Sequence, residues 1–376
     1  MIDIGNGKKV RALVVDDSVL MGIQITKILS SDERIEVVGR AKDGIEAIEM
    51  VERLDPDVVT LDVEMPRMDG ITALKHIMVR HPVPVIMVSS LTREGSRATF
   101  DALRFGALDV VAKPSRRETE SLEAQAEDII IRVRQAAAIG TNRARYRRKP
   151  VRTVAWKANK AGPPDAETRF VGVAVGGGGY SSLLQLIPNL RADFSHTLIA
   201  MIHVSNRFVD PLVSYLEGCG TVPVKSVRNV SHIEKGHCYI CCSHDTVTLT
   251  RDASGHVRFE TAAASGEDYR DGAIDAMFTS LAQTAGRRSV GIVMSGSGRA
   301  GAEGMAAIRR AGGVALVQSL ATCMNPSMPR SILLKGAVDR VVADYLLADY
   351  LMGLNHSRAA SGTTPTPIGR TAAGEG

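Results

Sequence analysis

Apolar runs of strand length alternate with helical patterns over the first part of the chain. Four of these runs lie at residues 10–15, 58–61, 83–88 and 108–112. With the helical stretches between them, they amount to about five β/α units joined by short connections, ending near residue 138. This order is typical of an α/β domain built on a five-stranded, doubly wound parallel sheet. Ligands of such sheets bind at the carboxyl ends of the strands.

A second alternating region begins at Phe170 and ends near Leu354. Its strand-like runs lie at residues 171–175, 197–201, 290–294 and 314–317. They predict a second doubly wound α/β domain after the first. The predicted organisation is a first domain at 1–138, a linker at 139–169, a second domain at 170–355 and a tail at 356–376. Small and polar residues fill most of the tail, which favours disorder.

The linker is predicted from its loss of apolar periodicity and from its charge. Between Arg143 and Arg169 it carries nine Lys and Arg residues against Asp165 and Glu167. Such a run is typical of a solvated tether, and the alternative is an anion-binding segment that contacts nucleic acid or anionic lipid. The only aromatic side chains there are Tyr146 and Trp156, so the tether is favoured and no nucleic-acid partner is expected.

Composition excludes several classes of protein. The 376 residues are 44% hydrophobic, which is enough for two domains that each bury a core. No apolar stretch approaches the roughly 20 residues that cross a bilayer, and the first residues lack the basic-then-apolar order of an export signal. We therefore expect a soluble, cytoplasmic protein without membrane insertion. The five cysteines are odd in number and confined to the second half, which favours reduced thiols over disulfides.

Polar residues follow several apolar runs of the first domain. Asp62 ends the run at 58–61, and the pair Asp16 and Asp17 ends the run at 10–15. Ser89 and Lys113 end the two further runs. Any one of these residues is ordinary as a solvated loop residue, but parallel strands bring all of them to one edge of the sheet. Carboxylates crowded together repel one another unless a cation binds, so the set predicts a Mg²⁺ site with oxygen ligands.

These residues resemble the receiver domain of two-component response regulators. Asp62 lies within Leu-Asp-Val-Glu-Met-Pro-Arg-Met-Asp-Gly, and Lys113 is followed by proline. The resemblance implies that Asp62 accepts a phosphoryl group from a histidine kinase and that Lys113 pairs with the new charge. It also implies that Ser89 turns toward the phosphoryl oxygens. The resemblance implies that Mg²⁺ is bound by Asp16, Asp17 and Asp62, together with a backbone carbonyl near Glu64. Val110 departs from the pattern, since many receivers carry an aromatic side chain there.

The second half is similar to chemotaxis protein-glutamate methylesterases. The motifs that carry the likeness are Ile-His-Val at 202–204, Gly-His-Cys-Tyr-Ile at 236–240, Ile-Asp-Ala-Met-Phe at 274–278 and Ser-Met-Pro-Arg at 327–330. That family hydrolyses glutamyl methyl esters on chemoreceptors and deamidates glutamines with a serine, a histidine and an aspartate. Here His203 matches the histidine, but Gly176 stands at the position of the serine and Ala300 at that of the aspartate.

Three hypotheses about function follow from this pattern. The leading one is a phosphorylation-controlled response regulator whose methylesterase-like domain is inactive and acts by binding, because loss of a triad nucleophile costs about 10⁶ in turnover. Its expected partners are a histidine kinase of a chemosensory or two-component system and chemoreceptor cytoplasmic tails. The second is an active methylesterase or deamidase with a non-standard nucleophile, for which Ser181 and Ser182 are the candidates. The third is a ligand sensor whose vacated pocket binds a small anion.

Two further motifs have competing interpretations. The run Gly176–Gly179 between a strand and a helix can cradle a phosphate through backbone N–H groups, but it matches no phosphate-binding motif, which favours a tight turn. The segment 237–244 contains histidines and cysteines of the types that bind metals. Alternate side chains of a strand point to opposite faces, which separates Cys241 from Cys238 and Cys242 and favours buried structural thiols.

Overall fold

The structure is a computed structural model that describes residues 9–90, 93–114, 122–139, 167–230, 232–263 and 269–354. Nearly all of the predicted linker and the whole predicted tail lie outside these residues, so both remain predictions.

The first domain is a five-stranded parallel sheet covered by helices. Its strands are β1 (Val10–Val15), β2 (Ile35–Ala41), β3 (Val58–Asp62), β4 (Val85–Ser89) and β5 (Asp109–Ala112). Its helices are α1 (Val19–Ser30), α2 (Gly44–Leu54), α3 (Gly70–Arg80), α4 (Arg93–Phe105) and α5 (Leu122–Ala137). The strand order is β2-β1-β3-β4-β5, and every pairing is parallel. The predicted doubly wound sheet is confirmed.

The loop that follows β3 is fixed by short local contacts. The N–H of Gly70 donates to the carbonyl oxygen of Val63 at 3.0 Å. A Cβ atom at Gly70 would lie 1.9 Å from the carbonyl oxygen of Asp62, so only glycine fits this return of the chain. Asp69 then begins α3, because its side chain accepts a hydrogen bond from the N–H of Thr72 at 2.7 Å. Asp62 is therefore held at the strand tip by a rigid turn.

The second domain is built on a seven-stranded sheet. Its strands are β6 (Phe170–Val175), β7 (Thr197–Ile202), β8 (Val224–Ser226), β9 (Cys238–Cys242), β12 (Ser289–Val293), β13 (Val314–Gln318) and β14 (Arg340–Val342). Two further strands, β10 (Asp245–Arg251) and β11 (Val257–Ala263), form an antiparallel pair. The helices are α6 (Tyr180–Asn189), α7 (Val209–Cys219), α8 (Tyr269–Ala285), α9 (Ala302–Arg310), α10 (Ser327–Leu334) and α11 (Asp344–Gly353). The large sheet has the order β14-β13-β12-β6-β7-β9-β8 and is parallel throughout. The predicted second α/β domain is confirmed.

The cysteines of β9 face two different cores, as the alternation of a strand requires. Cys238 and Cys242 pack in one hydrophobic cluster and Cys241 packs in another. All five cysteines are free thiols. Burial raises the pKa of Cys238, so this thiol stays protonated at neutral pH.

One hydrophobic core continues across the boundary between the two domains. It contains Phe100 and Leu103 of α4 together with Tyr180 of α6 and Leu212 of α7. Helix α4 contacts both α6 and α7. The receiver-like domain is therefore packed on the second domain through buried apolar side chains. Within the described residues, no helix is both long enough and apolar enough to span a membrane.

Candidate functional site

The first candidate site is an acidic pocket at the carboxyl edge of the first sheet. Carboxylate oxygens of Asp16, Asp17 and Asp62 all lie within 4.8 Å of one another. The Nζ atom of Lys113 is 2.6 Å from Asp62 Oδ2 and 2.9 Å from Asp16 Oδ2. Glu64 is exposed and lines the same pocket. The structure thus brings five of the six residues singled out from the sequence to one pocket, with Glu64 at the rim.

The charges of this pocket are unbalanced. Burial raises the pKa of Asp62 to about 6, against the opposing hydrogen bond from Lys113. Burial lowers the pKa of Lys113, but its hydrogen bonds to Asp62 and Asp16 outweigh that effect and raise the pKa overall. The single ammonium of Lys113 thus lies among the side chains of Asp16, Asp17 and Asp62. Such a set of oxygen ligands fits a hard divalent cation such as Mg²⁺.

The hydroxyl of Ser89 is held by a neighbour that the sequence analysis did not identify. Thr99 Oγ1 of α4 donates to Ser89 Oγ at 2.9 Å, and Ser89 Oγ donates to the carbonyl oxygen of Ser90 at 3.0 Å. Both Ser89 and Thr99 are buried. The next residue after Thr99 is Phe100, which packs against the second domain. The predicted switch residue is therefore one hydrogen bond away from the helix that joins the two domains.

The second candidate site is the region where the resemblance to methylesterases places a catalytic triad, at Gly176, His203 and Ala300. Gly176 follows β6, and a Cβ atom there would lie 2.7 Å from Gly296 Cα and 3.2 Å from Met328 Sδ. Real Cβ atoms do not approach a backbone carbon that closely, so a serine does not fit without movement of the chain. Ala300, at the position of the orienting acid, is buried in a hydrophobic cluster. Gly176 and Ala300 are both buried.

His203 follows β7, and its ring contacts Ser243 and His244. Its Nδ1 atom lies 2.9 Å from Ser243 Oγ, and its ring stacks on that of His244 at a centroid distance of 6.3 Å. The carbonyl oxygen of His203 accepts hydrogen bonds from the hydroxyl of Tyr180 and from Arg132. The histidine ring is therefore oriented by a serine hydroxyl that carries no charge.

The two serines that were candidates for a replacement nucleophile lie inside α6. Ser182 Oγ donates to Asp344 Oδ2 at 2.9 Å and accepts from Gln318 Nε2 at 3.2 Å. Both Ser181 and Ser182 are buried, and Asp344 is 1% exposed. Ser182 therefore belongs to a polar network that joins α6, β13 and α11.

The first domain covers the glycine turn of the second. The N–H of Gly178 donates to the carbonyl oxygen of Leu108 at 2.9 Å. Next to it Arg132 Nη1 pairs with Asp109 Oδ1 at 2.9 Å, and both side chains are buried. Burial lowers the pKa of Arg132, but the charge of Asp109 outweighs this and raises it well above the usual value, so the guanidinium stays charged. The sequence did not reveal this pair, because Asp109 and Arg132 differ from ordinary surface residues only in being buried in the folded protein.

Comparisons with known proteins cover both halves of the chain. Residues 171–351 match the CheB methylesterase family, and residues 12–125 match the response regulator receiver domain family. A protein-glutamate methylesterase/protein-glutamine glutaminase of Pyrococcus horikoshii is 38% identical over 336 residues, which is 89% of this chain and 91% of that protein. A protein of the same name from Koribacter versatilis, numbered 2, is 35% identical over 91% of this chain and 95% of its own.

Among solved structures, the response regulator domain of Thermotoga maritima CheB is 46% identical over 35% of this chain and 98% of that chain, with a TM-score of 0.32.

Proposed function

The chain belongs to the family of protein-glutamate methylesterases that join a response regulator receiver domain to a CheB methylesterase domain, and we propose that it signals without hydrolysis. In this proposal, phosphorylation of the receiver controls a second domain that acts by binding another protein. The observation that carries the proposal is Gly176, since the nucleophile position has neither a hydroxyl nor the space for one. Expected partners are the histidine kinase of a chemosensory system and the cytoplasmic tails of chemoreceptors.

The receiver residues are suited to phosphoryl transfer. Asp62 supplies the carboxylate oxygen that attacks phosphorus, while the bond between phosphorus and the donor histidine nitrogen breaks and the phosphoryl group passes to Asp62. Lys113, already bonded to Asp62, pairs with the phosphoryl charge. Asp16 and Asp17 would hold Mg²⁺ beside Asp62, with a backbone carbonyl near Glu64. When bound, the ion supplies positive charge that reduces the repulsion between the incoming phosphoryl group and the carboxylates.

The magnitude of the catalytic loss supports binding as the output. Removal of a serine nucleophile costs about 10⁶ in turnover, or about 8 kcal/mol of activation free energy. Loss of the acid that orients the histidine costs on the order of 10⁴ when it acts alone. Both losses apply here, because position 176 is glycine and position 300 is alanine. The hydrogen bond of Ser182 to Asp344 gives no support to a replacement nucleophile.

The contacts between the domains support an autoinhibited resting state. The carbonyl oxygen of Leu108 in the receiver accepts a hydrogen bond from the N–H of Gly178. Arg132 of the receiver donates to the carbonyl oxygen of His203. A small anion at the glycine turn would have to displace the carbonyl oxygen of Leu108. In the proposal, phosphorylation weakens the Ser89 to Thr99 contact, moves α4, and exposes the covered face of the second domain.

Phosphorylation with acetyl phosphate and Mg²⁺ tests this function when hydrogen exchange and methanol release are followed in one sample. The proposal predicts faster exchange across residues 180–219 in wild type, no such change in Asp62→Asn, and no methanol from methylated chemoreceptors. Unchanged exchange in the phosphorylated protein would contradict the switch. Methanol release that disappears in His203→Ala would contradict the loss of catalysis.

A further inference from the structure

The loop between β3 and α3 contains a strained residue. Arg67 has a φ of +64°, and the N–H of Met68 donates to the carbonyl oxygen of Pro66 at 2.7 Å. These features define a γ-turn centred on Arg67, and the form with positive φ is rare and strained. Glycine adopts such a φ without steric strain, but the residue here is an arginine. A strained residue of this kind persists only where its surroundings hold it in place.

Asp43 supplies a contact that holds Arg67. The guanidinium of Arg67 pairs with Asp43 Oδ2. Asp43 is 1% exposed, and its Oδ1 atom accepts hydrogen bonds at 3.0 Å from the N–H groups of Ile45 and Glu46, which begin α2. One buried carboxylate therefore joins the start of α2 to the turn that follows Asp62.

The backbone makes a second contact between the same two segments. The N–H of Gly44 donates to the carbonyl oxygen of Met68 at 3.1 Å. A Cβ atom at Gly44 would lie 2.8 Å from that oxygen and 2.9 Å from the Cβ atom of Ala73, so only glycine fits. Helix α2 thus begins in direct contact with the end of the loop, and the ion pair of Asp43 starts from a fixed position.

The γ-turn continues directly from one wall of the acidic pocket. Glu64, Met65 and Pro66 line this pocket together with Asp62. The carbonyl oxygen of Pro66 is also the acceptor of the turn, so the turn fixes the end of the wall. The backbone carbonyl expected to bind Mg²⁺ lies near Glu64, within the same wall. A ligand atom that is already in place binds a cation more tightly than one that must first be ordered.

We propose that the ion pair between Arg67 and Asp43 positions this wall of the acidic pocket for Mg²⁺. The inference rests on the proposed phosphorylation of the receiver and deepens it, because it names a side chain beyond the metal ligands that sets the affinity for the metal. With the ion pair, the γ-turn is held and the wall is preformed. Without it the turn relaxes, and only a fraction of the molecules have the wall in place. The apparent affinity for Mg²⁺ falls by that fraction.

This role separates the affinity for Mg²⁺ from the rate of phosphoryl transfer. Mg²⁺ that binds the formed wall shifts the chain toward that conformation, so a saturating concentration restores the arrangement around Asp62. Loss of Arg67 should therefore raise the Mg²⁺ concentration needed for phosphorylation and leave the maximal rate nearly unchanged. A general loosening of the receiver would lower the maximal rate as well.

Titration calorimetry of the unphosphorylated full chain with Mg²⁺ tests the proposal. Arg67→Gly removes the guanidinium, while the glycine adopts the turn without strain. We expect its affinity for Mg²⁺ to be about fivefold lower than that of wild type, the effect of one lost hydrogen-bonded contact. Phosphorylation by acetyl phosphate should reach half its maximal rate at about fivefold higher Mg²⁺, with a maximal rate within about twofold of wild type.

Two further variants supply the partner and the control. Asp43→Asn keeps an oxygen for the N–H groups of Ile45 and Glu46 but removes the charge, so it should weaken Mg²⁺ binding to the same extent as Arg67→Gly. The double variant should bind no more weakly than either single variant, because both remove one contact. Asp55→Gly is the matched control, since Asp55 has a φ of +45° and lies at the other end of α2. Its affinity for Mg²⁺ should equal that of wild type.

The other outcomes contradict the proposal in different ways. Wild-type affinity in Arg67→Gly would overturn it, because the shape of the turn alone would then suffice. An equal loss in Asp55→Gly, or additive losses in the double variant, would also overturn it. A wild-type chain that binds no Mg²⁺ would overturn the receiver mechanism together with this inference. Hydrolysis of receptor methyl esters would overturn the proposed function and leave the role of Arg67 intact.

Discussion

The N–H of Gly178 in the second domain donates to the carbonyl oxygen of Leu108 in the receiver at 2.9 Å. A backbone donor of the glycine turn is thus paired with the regulatory domain. Gly178 has a φ of +80°, and a Cβ atom there would lie 2.9 Å from Met324 Cβ, so both conformation and space require glycine. The turn that carries the nucleophile in this family serves here as part of a domain interface.

The raised pKa of Asp62 predicts a gain in stability when its charge is removed. The folded pKa of about 6 exceeds the usual 3.8 because of burial. The folded state therefore binds the proton more tightly than the unfolded state, and the free energy of unfolding falls as pH rises from about 4 to about 6. The difference corresponds to at most about 3 kcal/mol at pH 7. In the absence of Mg²⁺, Asp62→Asn should raise the Tm at pH 8 more than at pH 4.5.

Glu64→Gln is the control for this prediction, because Glu64 is exposed in the same pocket. Its Tm should stay close to that of wild type at both pH values. An Asp62→Asn variant that is less stable than wild type at pH 8 would contradict the inferred cost of burying the carboxylate.

Thr99 is predicted to restrain the switch. Thr99→Val keeps the shape of the side chain and removes the hydrogen bond of 2.9 Å to Ser89 Oγ. That bond is worth about 1 kcal/mol, so the chain should open at a roughly fivefold lower degree of phosphorylation. Hydrogen exchange of α7 against the fraction of phosphorylated Asp62 measures the shift. Thr26→Val, which removes a bond to the Gly22 carbonyl in α1, is the matched control and should leave the curve unchanged.

Arg132 is predicted to stabilise both the receiver and its contact with the second domain, because it pairs with Asp109 inside the receiver and donates to the carbonyl oxygen of His203 at 3.2 Å. Arg132→Met leaves the carboxylate of Asp109 buried without its partner, which costs roughly 3–5 kcal/mol. Calorimetry should show a lower first transition than in wild type, and a second substitution, Asp109→Asn, should recover part of the loss. Arg134→Met is the control on the same helix, because the Arg134 side chain is 25% exposed and pairs with Asp32 only at 3.7 Å. Equal melting of the Arg132→Met and Arg134→Met variants would contradict this assignment.

A side chain at position 176 is predicted to destabilise the protein, and serine there is predicted not to restore hydrolysis. Its Cβ would lie 2.7 Å from Gly296 Cα, so Gly176→Ala should destabilise the protein by roughly 1–3 kcal/mol. Gly218→Ala in α7 meets no atom within 4 Å and should be neutral or slightly stabilising. The double variant Gly176→Ser with Ala300→Asp should therefore fail to release methanol from methylated receptors. Clear hydrolysis by that variant would show that the site has kept the space of an active enzyme.

The acidic pocket was predictable because the carboxyl ends of all strands in a parallel sheet lie at the same edge. Asp16, Asp62 and Lys113 each end an apolar run, and β/α connections place those ends together. The position of Gly176 was predictable from the motif around it. The glycine contact with Gly296 was not, because 120 residues separate the two and only packing brings them together.

The interface between the domains depends on contacts that local sequence does not specify. Asp109 and Arg132 are typical surface residues by type, but here they pair inside the receiver and lie against Gly177 and the carbonyl oxygen of His203 in the second domain. The bond of Ser182 to Asp344 joins residues 162 positions apart. Strands β8, β10, β11 and β14 were also absent from the sequence prediction; each contains polar residues that interrupt the apolar pattern.

Methanol release from methylated chemoreceptors by the phosphorylated wild-type protein tests the central claim most directly. An active member of the family serves as the positive control, and His203→Ala identifies any hydrolysis that depends on the retained histidine. The account predicts methanol at the level of the protein-free reaction for both wild type and His203→Ala. Release by wild type that rises with phosphorylation and is lost in His203→Ala would contradict it.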